Sequence, residues 1–169
     1  MKPRSESGFS LIELMIAIAV LAILAAVALP ALRTTIQNNR LTTQANDLLT
    51  AFQFARSEAL RVNGDVIVCA SSNLASCGGG WQQGWIVIDP NAPGDPGDPT
   101  SDPEPIRAGG PLGGDTTVAG PTQFTFQARG AASAGGTLTL TVPACRAQQV
   151  RIINVEPTGR VNIRQADCP

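Results

Sequence analysis

The hydrophobic pattern changes period twice along the chain. From Phe9 to Leu32 nearly every position is apolar, 24 residues interrupted only by Ser10, Glu13 and Pro30. From Leu41 onward the apolar positions thin out to Leu41, Ala45, Leu48, Phe52, Ala55 and Ala59. Those steps of four and three mark one face of a helix. Leu49 and Leu60 widen that stripe. Together the two stretches predict one long helix over Phe9–Val62, apolar all round in its first half and amphipathic in its second. Asn63–Gly64 supplies the stop, with Gly64 suited to a left-handed cap. Pro30 lacks a backbone N–H and predicts a kink where the halves meet.

Beyond Gly64 the pattern shortens to runs rich in Val, Ile, Thr and aromatics, separated by Gly, Pro and Asp. They lie at 65–70, 84–89, 123–127, 137–142, 150–155 and 160–164, and each reads as a strand. Thr137–Val142 and Val150–Val155 pair as an antiparallel hairpin across "PACRAQQ". An antiparallel sheet laid with one face on the helix stripe buries both, which is an α+β architecture. Residues 90–121 hold eight prolines and seven glycines. That stretch has too little apolar surface to pack and is expected to be a flexible surface loop.

A 24-residue apolar helix spans about 36 Å, enough for a bilayer core. Lys2 and Arg4 precede it, which keeps the N-terminus cytoplasmic and places the rest of the chain outside. A cleaved secretory signal with a small-residue site around "AVALPA" is the alternative. Against it stand Glu13 inside the run and the helical pattern continuing past the cleavage site. A carboxylate there is unfavourable unless a partner neutralises it.

Bulk charge is balanced, 12 basic against 13 acidic residues, so it predicts neither nucleic-acid nor membrane-surface binding. Its distribution is uneven. Cys145–Pro169 carries four arginines (146, 151, 160 and 164) against Glu156 and Asp167. The chain has no histidine, and it shows neither a nucleophile–base arrangement nor a metal cluster, so an enzyme is the weakest class and neither metal nor cofactor is expected. Spaced Asp95, Asp98 and Asp102 lack the spacing of a helix–loop–helix calcium site and read as a solvated linker. Of Trp81 and Trp85, one is expected in the core.

Four cysteines accompany an export segment and suggest disulfides in an oxidising compartment. Three pairings are possible. The sequence-local one, Cys69–Cys77 with Cys145–Cys168, is preferred because each pair brackets a loop-rich stretch.

"GFSLIE" at Gly8–Glu13, followed by the apolar helix and Pro30, resembles the processing motif of type IV pilins and of type II secretion pseudopilins. "FQFARSEALRVNGDVIVC" at Phe52–Cys69 is similar to the GspH/FimT/FimU group of minor pilins and pseudopilins. The resemblance implies a type IV pilin-like fold. It implies a leader at 1–8 that a prepilin peptidase removes by cutting between Gly8 and Phe9, with methylation of Phe9. It implies a transmembrane and assembly helix at 9–32, an amphipathic helix at 33–63 and a β-rich periplasmic or extracellular domain at 64–169. The expected partners are other major and minor pilin subunits, the peptidase and the inner membrane, the chain passing from that membrane into a pilus. Glu13 would pair with the new Phe9 amine of a neighbouring subunit and set the register of assembly.

FimT-like minor pilins also carry a Gly-Arg-x-Arg motif associated with DNA uptake in natural transformation. The matching stretch is "GRVNIR", where Gly159 and Arg160 align, Asn162 stands in the second arginine's place and Arg164 follows. On an extended strand positions 160, 162 and 164 share one face, and Arg146 and Arg151 are near in sequence. The resemblance therefore implies weak, sequence-independent contact with double-stranded DNA through these arginines. A minor pseudopilin of a type II secretion system, without DNA binding, remains the alternative.

Overall fold

Ser10 starts the long helix: its Oγ accepts the Glu13 backbone N–H at 3.3 Å, satisfying one of the donors a helix start leaves unpaired. In this computed structural model, which describes residues 9–92 and 103–168, helix α1 runs Leu11–Val62. Asn63, rather than Gly64, adopts the left-handed conformation (φ 50°), and the Gly64 N–H donates to the Ala59 carbonyl at 3.2 Å. That six-to-one bond is a Schellman stop, and Asn supplies the left-handed residue in place of Gly.

The chain divides into two compact units at Ile36. In the first, α1 is long and apolar enough to cross a membrane, and its large apolar side chains are exposed from Leu11 to Leu32. Pro30 lies inside the helix, leaving the Ala26 carbonyl without its usual donor. One turn on, Thr34 and Thr35 donate to the Pro30 and Ala31 carbonyls, each at 3.1 Å.

The second unit packs the amphipathic part of α1 on two four-stranded antiparallel sheets. One has the order β3 (Arg107–Gly109), β2 (Trp85–Ile88), β1 (Val66–Ala70), β5 (Gln123–Phe126). The other has the order β4 (Thr117–Ala119), β6 (Gly136–Thr141), β7 (Val150–Val155), β8 (Val161–Ala166). All six expected strands are present, and the β6–β7 hairpin pairs Leu138 with Ile153.

One correction arises within 90–121. Residues 103–121 are not simply loop, since they contribute β3 and β4, one to each sheet. Thr116 is buried, donating its hydroxyl to Gln44 Oε1 at 2.8 Å, while Gln44 Nε2 donates to the Gly113 carbonyl at 2.9 Å. A buried side-chain pair of this kind ties the segment to α1 in spite of its glycines. Residues 93–102, including Asp95, Asp98 and Asp102, lie outside the described residues.

The helix stripe is buried as spaced: Leu41, Ala45, Leu48, Phe52, Ala55 and Ala59 each have at most 1% exposure. Alanines let the helix approach the sheets closely, and Phe52 fills the space between them. Its ring meets Phe124 edge-on at 5.2 Å and lies 6.0 Å from Trp81 and 6.4 Å from Phe126. Both tryptophans are buried, and Trp81 Nε1 donates to the Pro121 carbonyl at 2.7 Å. Leu60, expected to widen the stripe, is instead 53% exposed. Disulfides join Cys69 to Cys77 and Cys145 to Cys168.

Candidate assembly and nucleic-acid surfaces

Two surfaces follow from this architecture. The first is the start of α1. Phe9 is 82% exposed and Glu13 is exposed one helical turn further on. Ser10 and Glu13 stand three residues apart, the spacing of a capping box, and a carboxylate in the first turn also favours the helix dipole. Glu13 thus has a local role as well as the intersubunit role expected for it. Gly8 lies outside the described residues.

The second surface is the outer face of the β4–β6–β7–β8 sheet. Side chains alternate along β8: Val161 and Ile163 pack against the core, so Asn162 and Arg164 point the other way. Arg160, just before the strand, continues that outward parity and is exposed, as is Arg164. Four residues of extended chain set their Cα atoms about 13 Å apart. β8 is an edge strand, and β7 presents Ile152 and Asn154 opposite Arg164 and Asn162. The only ion pair among the described residues is Arg61–Glu58, which holds the Glu58 carboxyl below its usual pKa through the Arg61 hydrogen bond, so Arg160 and Arg164 have no carboxylate at ion-pair distance there.

Arg151 is a correction. It is 3% exposed and donates to the Gln148 and Val150 carbonyls and to Thr42 Oγ1 on α1. Burial lowers its pKa, though a guanidinium stays charged at neutral pH. It is a buried link between sheet and helix and cannot meet a phosphate. The alternation of "VRIINV" carries the signal: Arg151 shares parity with the buried Ile153 and Val155.

Arg146 is exposed, but in the β6–β7 loop. β7 pairs Val150 with Ala166 and Val155 with Val161, so that loop lies at the end of the sheet opposite Arg160. The four arginines therefore do not form one cluster.

Gly159 is buried with φ 80°, and its N–H closes a turn onto the Glu156 carbonyl at 2.8 Å. A Cβ there would collide with the Gly130 carbonyl oxygen. The glycine is required by this turn-on-turn contact, which fixes the backbone that carries Arg160. Gly130 (φ 75°) closes a second turn onto Gln127, and the Ala132 N–H donates to the Pro157 carbonyl at 3.1 Å, joining the two turns. Exposed Arg129 precedes Gly130, and Arg56 Nε of α1 lies over the joint with no hydrogen-bond partner among the described residues. Neither Arg56 nor Arg129 is singled out by the sequence pattern. Among the described residues no group of three or more metal-ligating side chains gathers.

Residues 44–159 match the family model described as type II transport protein GspH, and residues 3–29 match the prokaryotic N-terminal methylation motif. The fold is similar to that of the type IV minor pilin FimU of Pseudomonas aeruginosa. That match has a TM-score of 0.56 and 19% identity, covering 75% of this chain and 89% of the other. It is also similar to the minor pseudopilin EpsH from the type 2 secretion system of Vibrio cholerae. There the TM-score is 0.55 and the identity 9%, covering 75% of this chain and 97% of the other. Among curated proteins no significant match is found.

Proposed function

Because the chain belongs to the GspH family of minor pilins and pseudopilins, we propose that it is a minor type IV pilin whose outward arginines contact double-stranded DNA. Assembly with other pilin-type subunits is the role of the family as a whole, and these are structural proteins. Carrying the reading is an apolar helix that the chain itself leaves uncovered, exposed from Leu11 to Leu32 with Glu13 as its one carboxylate. Apolar area of that extent is stable only in lipid or against other helices. Cutting between Gly8 and Phe9 creates an amine at the head of the helix, and the neighbouring subunits supply both the apolar partners and the ion pair. Before assembly the helix anchors the chain in the inner membrane, with the β-domain on the far side.

Support for the DNA contact comes from Arg160 and Arg164, which share the outer face of the sheet. Two guanidiniums give weak, salt-sensitive binding that does not read sequence. A secretion pseudopilin is the second reading, favoured by the likeness to EpsH.

The test uses the full chain in uncharged detergent, titrated onto labelled duplex DNA at about 50 to 200 mM salt. Affinity is expected to fall with salt. Arg160→Ala combined with Arg164→Ala is expected to flatten the slope of log K against log salt by about 2, near 0.9 for each phosphate no longer neutralised. An Arg151→Met control is expected to change the unfolding midpoint and leave the slope unaltered. A wild-type chain that ignores DNA at the low-salt end, or a double variant with the wild-type affinity and slope, overturns the DNA contact.

A further inference from the structure

The corner where the two glycine turns meet brings together three arginines from distant parts of the chain. Arg56 comes from α1, Arg129 from the turn after β5 and Arg160 from the turn before β8. The joint is built from backbone. Gly130 and Gly159 both take left-handed φ values, and a Cβ on Gly159 has no room beside the Gly130 carbonyl. Arg56 Nε would lie 3.3 Å from a Cβ on Gly130 and 3.2 Å from one on Gly159, so it lies beside both turns at once. Arg129 and Arg160 flank the same joint and are exposed.

None of the three has a carboxylate at ion-pair distance among the described residues, where Arg61–Glu58 is the one salt bridge. Along α1 the residues three and four away from Arg56 are Phe52, Gln53, Ala59 and Leu60, none acidic. Glu156, the turn's own carboxylate, accepts weak hydrogen bonds from Thr158 at 3.4 Å and Asn162 at 3.3 Å. Arg56 Nε is also a buried donor with nothing to donate to among the described residues. Such a group is costly unless a partner arrives. On a chain of formal net charge −1, this is a local concentration of unpaired positive charge.

We propose that the Gly130–Gly159 joint is a phosphate-binding corner in which Arg56, Arg129 and Arg160 engage the nucleic-acid backbone, continuing the contact from Arg164 around the end of the domain. It rests on the DNA reading above and adds two residues to it. Planar guanidinium forks suit phosphate oxygens better than ammonium groups do. Three elements held by one backbone joint present the forks without a large ordering cost.

The same DNA titration of the full chain tests it with Arg129→Ala, Arg56→Gln, Arg56→Lys and, as a control on β3 outside the joint, Arg107→Ala. Arg129→Ala and Arg56→Gln are each expected to weaken binding uniformly across sequences and to flatten the salt slope by about 1. Arg56→Lys should retain the slope, and Arg107→Ala should match wild type. Arg129 is exposed, so its substitution leaves the fold intact and decides the matter even where Arg56→Gln lowers the unfolding midpoint. If wild type binds DNA and loses it with Arg160 and Arg164, while Arg129→Ala keeps full affinity and slope, the corner is overturned alone. Equal weakening by Arg107→Ala also overturns it, since the charge effect would then be diffuse. A wild-type chain that does not bind removes the DNA reading and the corner together.

Discussion

Glu13→Ala is expected to lower recovery of the chain in fibres by about tenfold or more while leaving it processed and membrane-bound. A carboxylate at mid-bilayer costs on the order of 2.5–3.5 kcal/mol on insertion scales, and less near an interface. In the proposed pairing a neighbour's Phe9 amine would remove much of that cost in the register where the two charges meet, and every 1.4 kcal/mol is a factor of about ten. The structure adds a competing explanation, because Glu13 stands three residues after the Ser10 cap, the position from which a Glu or Gln side chain closes a capping box. A Glu at that position supports a helix start by about 1 kcal/mol or less. Glu13→Gln separates the two effects, since Gln serves in a capping box and carries no charge. Sheared fibres and the membrane fraction, quantified against each other, give the answer. If Gln assembles at the wild-type level and Ala does not, Glu13 acts on its own helix and the intersubunit pairing is wrong.

The second large effect is expected at Phe52. Phe52→Ala should cost the domain about 3–5 kcal/mol, the usual penalty for a large aromatic side chain removed from a core. Phe52 has 0% exposure and touches three rings on the side of the first sheet, Trp81, Phe124 and Phe126. Phe124 and Phe126 are fixed by β5 and Trp81 by its hydrogen bond to the Pro121 carbonyl, so they cannot collapse into the vacated volume. A domain of ordinary stability, about 5–15 kcal/mol, would lose a large share of it. Urea unfolding of the two chains measures the difference from the midpoint at constant slope. A change under about 1 kcal/mol would mean that the helix stripe is not what holds the sheets.

Much of this fold was legible because its signals are periodic. The helix stripe repeats over five steps, and the six longer strands each offer several alternating positions. β3 and β4 offer three residues each, "RAG" and "TVA", set among prolines and glycines, too few to establish any period. They are held by partners far along the chain: β4 by Thr117 against Thr141, and its approach by Thr116 on Gln44. No local pattern records such pairings.

The cationic surface divides in the same way. Arg160 and Arg164 follow from strand parity, and parity also assigns Arg151 to the interior, where it serves as a link to Thr42. Grouping arginines by sequence proximity misplaced Arg146, because the length of β7 separates its loop from the turn of Arg160, and Arg151, because parity turns it into the core. Arg56 and Arg129 meet Arg160 only through the meeting of two turns 29 residues apart, at Gly130 and Gly159. Each glycine looks like an ordinary turn residue until the other is placed against it.

In the proposed account the chain reaches a fibre only through one event at the N-terminus, the release of a charged amine at Phe9 and its incorporation beside Glu13 of a neighbour. Mass spectrometry of the chain recovered from sheared surface fibres tests that event directly. The account predicts a chain that begins at N-methylated Phe9 and is present in the fibre fraction. A chain that begins near Leu29 or Ala31, or one that never enters that fraction, would contradict it.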